Sequence, residues 1–207
     1  YPQGAEKQLI YAVTKREVPS TTPPSLPADV GCIVDNVATV MAIGDAIFES
    51  KPLMDRVITV SGGAAKNPGN YQMKIGMKIS DLMDAIGGFK EEPEKVLSGG
   101  PMMGVAQFDL AVPVTKGTNA VTVLGEENRY MAAQPHCIRC GKCAEVCPVG
   151  LLPFNIASDL RRNDTSRLRE LHVMDCIECG SCAYTCPAKV PLLDYCKLGK
   201  YEFKKRK

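Results

Sequence analysis

The fold of the last third of this chain is decided by the stretch Cys137-Ile138-Arg139-Cys140-Gly141-Lys142-Cys143-Ala144-Glu145-Val146-Cys147-Pro148. The spacing of its cysteines is repeated in a second stretch, Cys176-Ile177-Glu178-Cys179-Gly180-Ser181-Cys182-Ala183-Tyr184-Thr185-Cys186-Pro187. In each stretch two, two and three residues separate successive cysteines, and a proline follows the last one. Eight of the ten cysteines in the chain therefore fall into two matching sets.

These matching sets are typical of chains that bind two [4Fe–4S] clusters. Three thiolates at two-residue intervals lie on one tight loop and can bond three corners of a cubane. The fourth cysteine lies on the helix that follows and points away, toward the other cluster. The predicted ligand sets are therefore crossed: Cys137, Cys140, Cys143 and Cys186 for one cluster, and Cys147, Cys176, Cys179 and Cys182 for the other.

Two other uses of the cysteines explain less of the pattern. A disulfide framework is typical of secreted chains shorter than about 100 residues. Zinc sites need only pairs of Cys-x2-Cys, which leaves the third cysteine and the Cys-Pro unexplained. Gly141 and Gly180 follow the second cysteine of each set, where the missing side chain lets backbone N–H groups approach cluster sulfurs. Cys32 and Cys196 lie outside both sets and are predicted to be free buried thiols.

The overall composition excludes several other classes of protein. Of the 207 residues, 45% are apolar and 23% are charged, and the formal net charge is +2. This balance excludes a highly charged disordered chain and argues against nucleic acid as a partner. The best candidate for a membrane span, Val37 to Phe48, is shorter than the roughly 18 residues required. Because the sequence begins at Tyr1 without a leader, we interpret it as part of a longer protein.

Three regions with different patterns predict an α+β chain. Residues 1–52 combine a helix over Ala5–Thr14, a short strand at Cys32–Val34 and a second helix that Asn36 caps. Residues 53–125 are rich in β-branched runs and predict a sheet with one helix. Residues 126–207 contain the cysteines and lack such runs.

The middle region shows the order of elements of a β-grasp domain. The predicted strands and helix, in chain order, are Arg56–Val60, Tyr71–Ile75, the helix Ser80–Ile86, and Lys95–Leu97. Either Ala111-Val112 or Val121–Leu124 is expected to complete the sheet.

The last region is predicted to be mainly helical. Phe154, Ile156, Ala157 and Leu160 have helical spacing between the two cysteine sets, and Asp164 is expected to cap a further helix through Leu171. This arrangement resembles the helical dicluster ferredoxin domains of larger reductases. The basic residues at the end are either a solvated helix end or a docking patch for an acidic partner or an anionic membrane: Lys197, Lys200, Lys204, Lys205, Arg206 and Lys207.

Four segments in this order resemble the C subunit of the Rnf complex, an ion-translocating ferredoxin:NAD oxidoreductase of bacterial and archaeal membranes. They are Tyr1–Ile10 (YPQGAEKQLI), Asp35–Thr39 (DNVAT), Ser98–Gly104 (SGGPMMG) and the two cysteine sets. The resemblance covers essentially the whole chain. It implies the C-terminal part of a flavin- and NADH-binding domain at 1–52, a soluble-ligand-binding β-grasp domain at 53–125, and a helical ferredoxin domain with two [4Fe–4S] clusters at 126–207.

The resemblance also implies flavin contacts in the first region. A Gly-Glu-Glu-Thr segment of complex I flavoprotein relatives matches Gly4-Ala5-Glu6-Lys7, so Gly4 and Glu6 agree while Ala5 and Lys7 depart from it. An Asn-Val-Glu-Thr segment matches residues 36–39, in which Asn36 and Thr39 agree. Since the glycine-rich flavin loop is not part of this sequence, FMN and NADH binding are expected only in the full-length protein.

The implied function is a relay of single electrons between an NAD(H)-linked flavin and ferredoxin-side partners. The enzyme is the complex, a translocase, and these residues alone are expected only to pass electrons. The implied location is peripheral, on the cytoplasmic side of the membrane, against other subunits of the complex. Two alternatives stay open: a cobalamin reductase with a similar set of domains, and a non-catalytic electron-carrier or docking module.

Overall fold

The computed structural model describes residues 1–19, 26–126 and 136–205. Its α-helices are α1 (Glu6–Thr14), α2 (Val37–Phe48), α3 (Ile79–Ala85), α4 (Lys142–Glu145), α5 (Pro153–Arg161), α6 (Ser181–Thr185) and α7 (Leu192–Lys205). Its strands are β1 (Asp55–Ser61), β2 (Gly69–Lys74), β3 (Lys95–Ser98), β4 (Val105–Gln107) and β5 (Ala120–Leu124). None of the described helices is both long enough and apolar enough to cross a membrane.

The chain divides into two compact units. One unit is Asp35–Ala132, and the other combines Tyr1–Val34 with Ala133–Lys207. The division into three regions at residues 52 and 125 stays a prediction, since compactness groups the first 34 residues with the cysteine-rich region.

The unit Asp35–Ala132 is built on one mixed sheet in the order β2-β1-β5-β3-β4. The central strands β1 and β5 are parallel, whereas β1–β2, β3–β5 and β3–β4 are antiparallel. Along β1, Ile58 and Val60 are buried while Val57 and Thr59 are exposed, so one face of the strand supplies the core. Helix α3 covers that face with Ile79, Leu82 and Met83, among others.

Most of the predicted elements of this unit are confirmed. The strands predicted at residues 56–60, 71–75 and 95–97 are β1, β2 and β3, and the last strand is β5 at Ala120–Leu124. Ala111-Val112 forms no strand. The edge strand β4 was not predicted, because three residues are too few to show an alternating pattern.

Helix α2 begins as predicted, because the Asn36 side chain accepts a hydrogen bond from the Ala38 N–H at 3.0 Å. None of its residues is buried, and its apolar side chains, including Met41 and Phe48, are exposed. The strand predicted at Cys32–Val34 is wrong. Those residues take part in no described ladder, and a strand needs a partner for its backbone hydrogen bonds. Cys32 is half-buried and not buried as predicted.

The other unit is helical in its described residues. Helices α5 and α7 pack around a core that contains Ile156, Leu160, Leu168, Val173 and Cys196. The predicted helix α5 is confirmed, but the helix predicted from Asp164 to Leu171 is wrong. Asp164 does accept the Ser166 N–H, as a cap does, yet the chain forms turns between two left-handed residues, Asn163 and His172. A helix cannot continue through that conformation.

The alternation along β1 yields a stability prediction. We expect Ile58→Ala to lower the free energy of unfolding of the sheet unit by about 2–5 kcal/mol, because it leaves a cavity under α3. Val57→Ala on the opposite, exposed face should cost less than about 1 kcal/mol. Urea unfolding followed by circular dichroism measures both. Equal losses for the two variants would contradict the assignment of the buried face.

Candidate metal centres

The two cysteine loops have the same backbone conformation. Every position of the second loop lies 39 residues after its equivalent in the first. Gly141 and Gly180 have φ angles of 79° and 80° at the starts of α4 and α6, and Arg139 and Glu178 have φ angles of 56° and 57°. A left-handed conformation at a residue other than glycine costs energy, so the loop is held in this shape twice by its surroundings.

Backbone amides donate hydrogen bonds to the cysteine sulfurs at equivalent places in both halves. One pair lies within the loops: Arg139 N–H to Cys137 Sγ and Glu178 N–H to Cys176 Sγ, both at 3.4 Å. The other pair follows the last cysteines: Leu151 N–H to Cys147 Sγ at 3.3 Å and Val190 N–H to Cys186 Sγ at 3.4 Å. Such donors stabilise a thiolate and orient it toward whatever it binds.

Two cavities bring the sulfurs together in crossed sets. A cavity of about 200 Å³ is lined by Cys137, Cys140, Cys143 and Cys186, together with apolar side chains such as Phe154 and Leu192. A smaller cavity, of about 20 Å³, is lined by Cys147, Cys176, Cys179 and Cys182. The equivalents of Phe154 and Leu192, which are Leu193 and Pro153, line this second cavity.

The donor set of each cavity fits a [4Fe–4S] cluster. Four thiols with apolar walls and nearby backbone N–H groups are the surroundings that such clusters require. The sulfurs line a space instead of converging on a point. Within residues 1–19, 26–126 and 136–205, no three His, Cys, Asp or Glu side chains are placed to hold a single ion.

The thiols of the two cavities differ in acidity. Burial raises the pKa of Cys143 in the first cavity. In the second, a hydrogen bond from the Cys196 thiol lowers the pKa of Cys176 to about 7 and also lowers the pKa of Cys182. Cys196 donates these bonds and, with its thiolate disfavoured by both neighbours and by burial, has a raised pKa. The prediction that Cys196 is a free buried thiol is confirmed.

Lys200 ties α7 to the second loop. Its Nζ donates hydrogen bonds to the Cys176 carbonyl oxygen and to the Glu178 carboxylate. Lys200 is therefore not part of a solvated helix end or docking patch, as the sequence suggested, because its charge is engaged at the loop. Lys204 and Lys205 are exposed, while Arg206 and Lys207 lie outside the described residues.

The start of the chain also contacts the second loop. The Tyr1 hydroxyl donates to the Cys179 carbonyl oxygen at 2.5 Å, and burial raises the pKa of Tyr1. The segment that carries the predicted flavin contacts Gly4 and Glu6 is therefore anchored beside the second cysteine set.

The four predicted flavin contacts are divided between the two units. Gly4 and Glu6 lie at the start of α1 in the cysteine-containing unit, and Asn36 and Thr39 lie at the start of α2 in the sheet unit. Asn36 caps its own helix, and Thr39 Oγ1 accepts from the Arg56 guanidinium at 3.4 Å. Their role toward a flavin stays a prediction.

Sequence reasoning did not connect three residues with the cysteine sites: Tyr1, Lys200 and Cys196. No spacing rule joins Tyr1 to Cys179, so only the structure reveals that contact. Aligning the halves shows a signal for Cys196, which lies ten residues after Cys186 as Ala157 lies ten residues after Cys147.

Comparison with protein families finds three matches along the chain. Residues 1–45 match the Nuo51 FMN-binding domain, residues 57–106 match the SLBB domain, and residues 136–190 match the 4Fe-4S dicluster domain. The chain therefore has the cysteine pattern of a domain that holds two [4Fe–4S] clusters, as predicted.

Curated relatives match the chain over nearly its full length. It is 49% identical over 202 residues to the C subunit of the Na⁺-translocating ferredoxin:NAD⁺ oxidoreductase complex of Acetobacterium woodii, covering 98% of this chain and 45% of the relative. It is 48% identical to the proton-translocating counterpart of Clostridium ljungdahlii over 98% of this chain and 44% of the relative. A third relative is the C subunit of the ion-translocating oxidoreductase complex of Rhodobacter capsulatus, 41% identical over the whole of this chain and 39% of its own length.

The chain thus spans less than half the length of these relatives. The three domain matches occur in one order along it, and the named relatives agree in their description. The chain belongs to the family of C subunits of ion-translocating ferredoxin:NAD⁺ oxidoreductase complexes, the Rnf complexes.

Proposed function

We propose that this part of the protein passes single electrons through two [4Fe–4S] clusters within a ferredoxin:NAD⁺ oxidoreductase complex. One observation carries the proposal: two cavities are each lined by four cysteines, and each takes three from one loop and one from the other half. When bound, each cluster accepts or gives one electron at a time.

The ligands that we propose are the crossed sets predicted from the spacing. Cys137, Cys140, Cys143 and Cys186 hold the first cluster, and Cys147, Cys176, Cys179 and Cys182 hold the second. This arrangement is supported by the repeated N–H donors to the sulfurs of Cys147 and Cys186, which orient the two crossing cysteines in the same way.

The chain's own residues control the surroundings of the electrons. Backbone amides offset the negative charge of the sulfurs, and apolar side chains such as Phe154 and Leu193 line the cavity walls. Lys200 fixes the second loop through the Cys176 carbonyl and adds a positive charge beside it. None of these groups is placed as an acid or base, which agrees with a relay of electrons and not of protons.

The fold supports the finer domain description. The parallel central pair β1 and β5, with β2 and β3 outside them and α3 across one face, is the topology we expect of a β-grasp domain. The short helices around the cysteines support a mainly helical ferredoxin domain. We propose these two domains for the middle and last regions of the chain.

The activity of the whole protein follows as part of the same proposal. Residues 1–45 would complete an FMN site in the full-length protein, with Gly4, Glu6, Asn36 and Thr39 as contacts, and NAD(H) would exchange electrons there. Ferredoxin-side partners and the other subunits of the complex would bind this protein peripherally at the cytoplasmic face of the membrane. The relatives are described as subunits of a translocating complex, which favours this function over a cobalamin reductase or an isolated module.

The metal content tests the proposal most directly. We expect anaerobically purified or reconstituted chain to contain about eight iron and about eight sulfide per chain, because each [4Fe–4S] cluster holds about four of each. Low-temperature EPR of the reduced protein should show two interacting [4Fe–4S] signals. Stoichiometric zinc without visible absorbance would contradict the proposal.

The crossed assignment is tested by a matched pair of substitutions. We expect Cys186→Ala to damage the cluster of the first loop and Cys147→Ala to damage that of the second, because each removes one of four ligands. Iron content and EPR measure which signal is lost, and a probe on Ile138 or Ile177 reports which loop has loosened. Loss of the same-loop cluster in both variants would show that the ligand sets are not crossed.

The contact of Lys200 predicts a selective effect on the second site. We expect Lys200→Met to speed the loss of one cluster to an iron chelator severalfold, because the Cys176 loop loses its tie to α7. Lys204→Met, an exposed position on the same helix, is the control and should change neither rate. Visible absorbance followed over time measures the release. Equal release from both variants would show that the tie contributes nothing.

A further inference from the structure

The two halves differ at one position that faces the cavities. Cys196 on α7 occupies the place in the second half that Ala157 on α5 occupies in the first, each ten residues after the last cysteine of its set. Ala157 packs beside Cys143 and Cys186 at the first cavity. The same site in the repeat therefore carries a methyl group at one cavity and a thiol at the other.

Cys196 is enclosed with the sulfurs of the second set. Its side chain is 1% exposed, lines the cavity of Cys147, Cys176, Cys179 and Cys182, and packs with Cys176 in the core between α5 and α7. The four positions that match the first set already supply the ligands. A fifth thiol in this cavity is thus an addition that the repeat does not require.

We propose that Cys196 is a positioning residue that donates an S–H hydrogen bond to the cysteine sulfurs of the second cluster and thereby raises the reduction potential of that cluster. The proposal rests on the proposed cluster sites. A thiol buried among apolar side chains keeps its proton and remains a donor. Hydrogen bonds to cluster sulfurs stabilise the reduced form, which carries one more negative charge.

The same geometry makes the two clusters unequal. At the first cavity Ala157 offers no donor, so that cluster lacks this contribution. Because an electron rests preferentially on the centre of higher potential, Cys196 favours its residence at the second cluster, beside the loop that Tyr1 contacts.

The test is an EPR-monitored redox titration of the reconstituted full chain with three variants. In Cys196→Ala the iron content should stay at about eight per chain, as expected for two [4Fe–4S] clusters, while one of the two midpoint potentials falls. Cys196→Ser should keep a potential near that of the unmodified chain, because its hydroxyl also donates. Cys196→Val removes the donor while filling the space, and serves where Cys196→Ala does not fold.

Ala157→Ser is the reciprocal variant. It adds a donor at the first cavity and should raise the other midpoint potential, leaving the one affected by Cys196 unchanged. Repeating Cys196→Ala in the Cys186→Ala chain, which retains only the second cluster under the crossed assignment, identifies the cluster that responds.

The outcomes separate this inference from the proposed function. An unmodified chain without two [4Fe–4S] clusters would overturn the proposed function itself. With both clusters present, unchanged potentials in Cys196→Ala and Cys196→Val would overturn the role of Cys196 alone. A fall to about four iron in both variants would overturn it as well, because Cys196 would then be a ligand of one [4Fe–4S] cluster.

Discussion

The structure of the cysteine-containing unit depends on holding eight thiolates around two small apolar spaces. Negative charge away from water is costly unless donors compensate it. The chain meets this requirement with backbone N–H groups, which reach the sulfurs only because Arg139 and Glu178, and the glycines two residues beyond them, adopt left-handed conformations. The strain of these loops is retained because the same surroundings recur in both halves.

The repeat sets the geometry, and departures from the repeat give each site its own properties. Tyr1, Lys200 and Cys196 all contact the second loop or its cavity, and their equivalents do not act in the same way at the first. Arg161, the position equivalent to Lys200, donates to Tyr195 instead. A pair of sites built from one pattern is thereby differentiated by residues outside the cysteine sets, which suits a relay whose two centres have different neighbours.

How far the sequence predicts the fold depends on how local each signal is. The alternation in Arg56–Val60 and the cap at Asn36 act within a few residues, and both elements are found where predicted. Cys32–Val34 has the composition of a strand but gains no partner in the described structure, and β4 becomes a strand only because β3 lies beside it. After Asp164, a local cap is overruled by turns that bring Leu168 and Val173 into the core.

The sequence by itself determined the number of cysteine loops, their shape and the division of the cysteines into two sets, because spacing along a tight loop fixes which sulfurs can face one centre. Only the tertiary structure decided that Cys196 lies among the second set, that Lys200 is held at a loop and not in solvent, and that Tyr1 lies against Cys179. These contacts join residues 178, 24 and 20 or fewer positions apart through the packing of α7 and the start of the chain, and no local pattern encodes such distances.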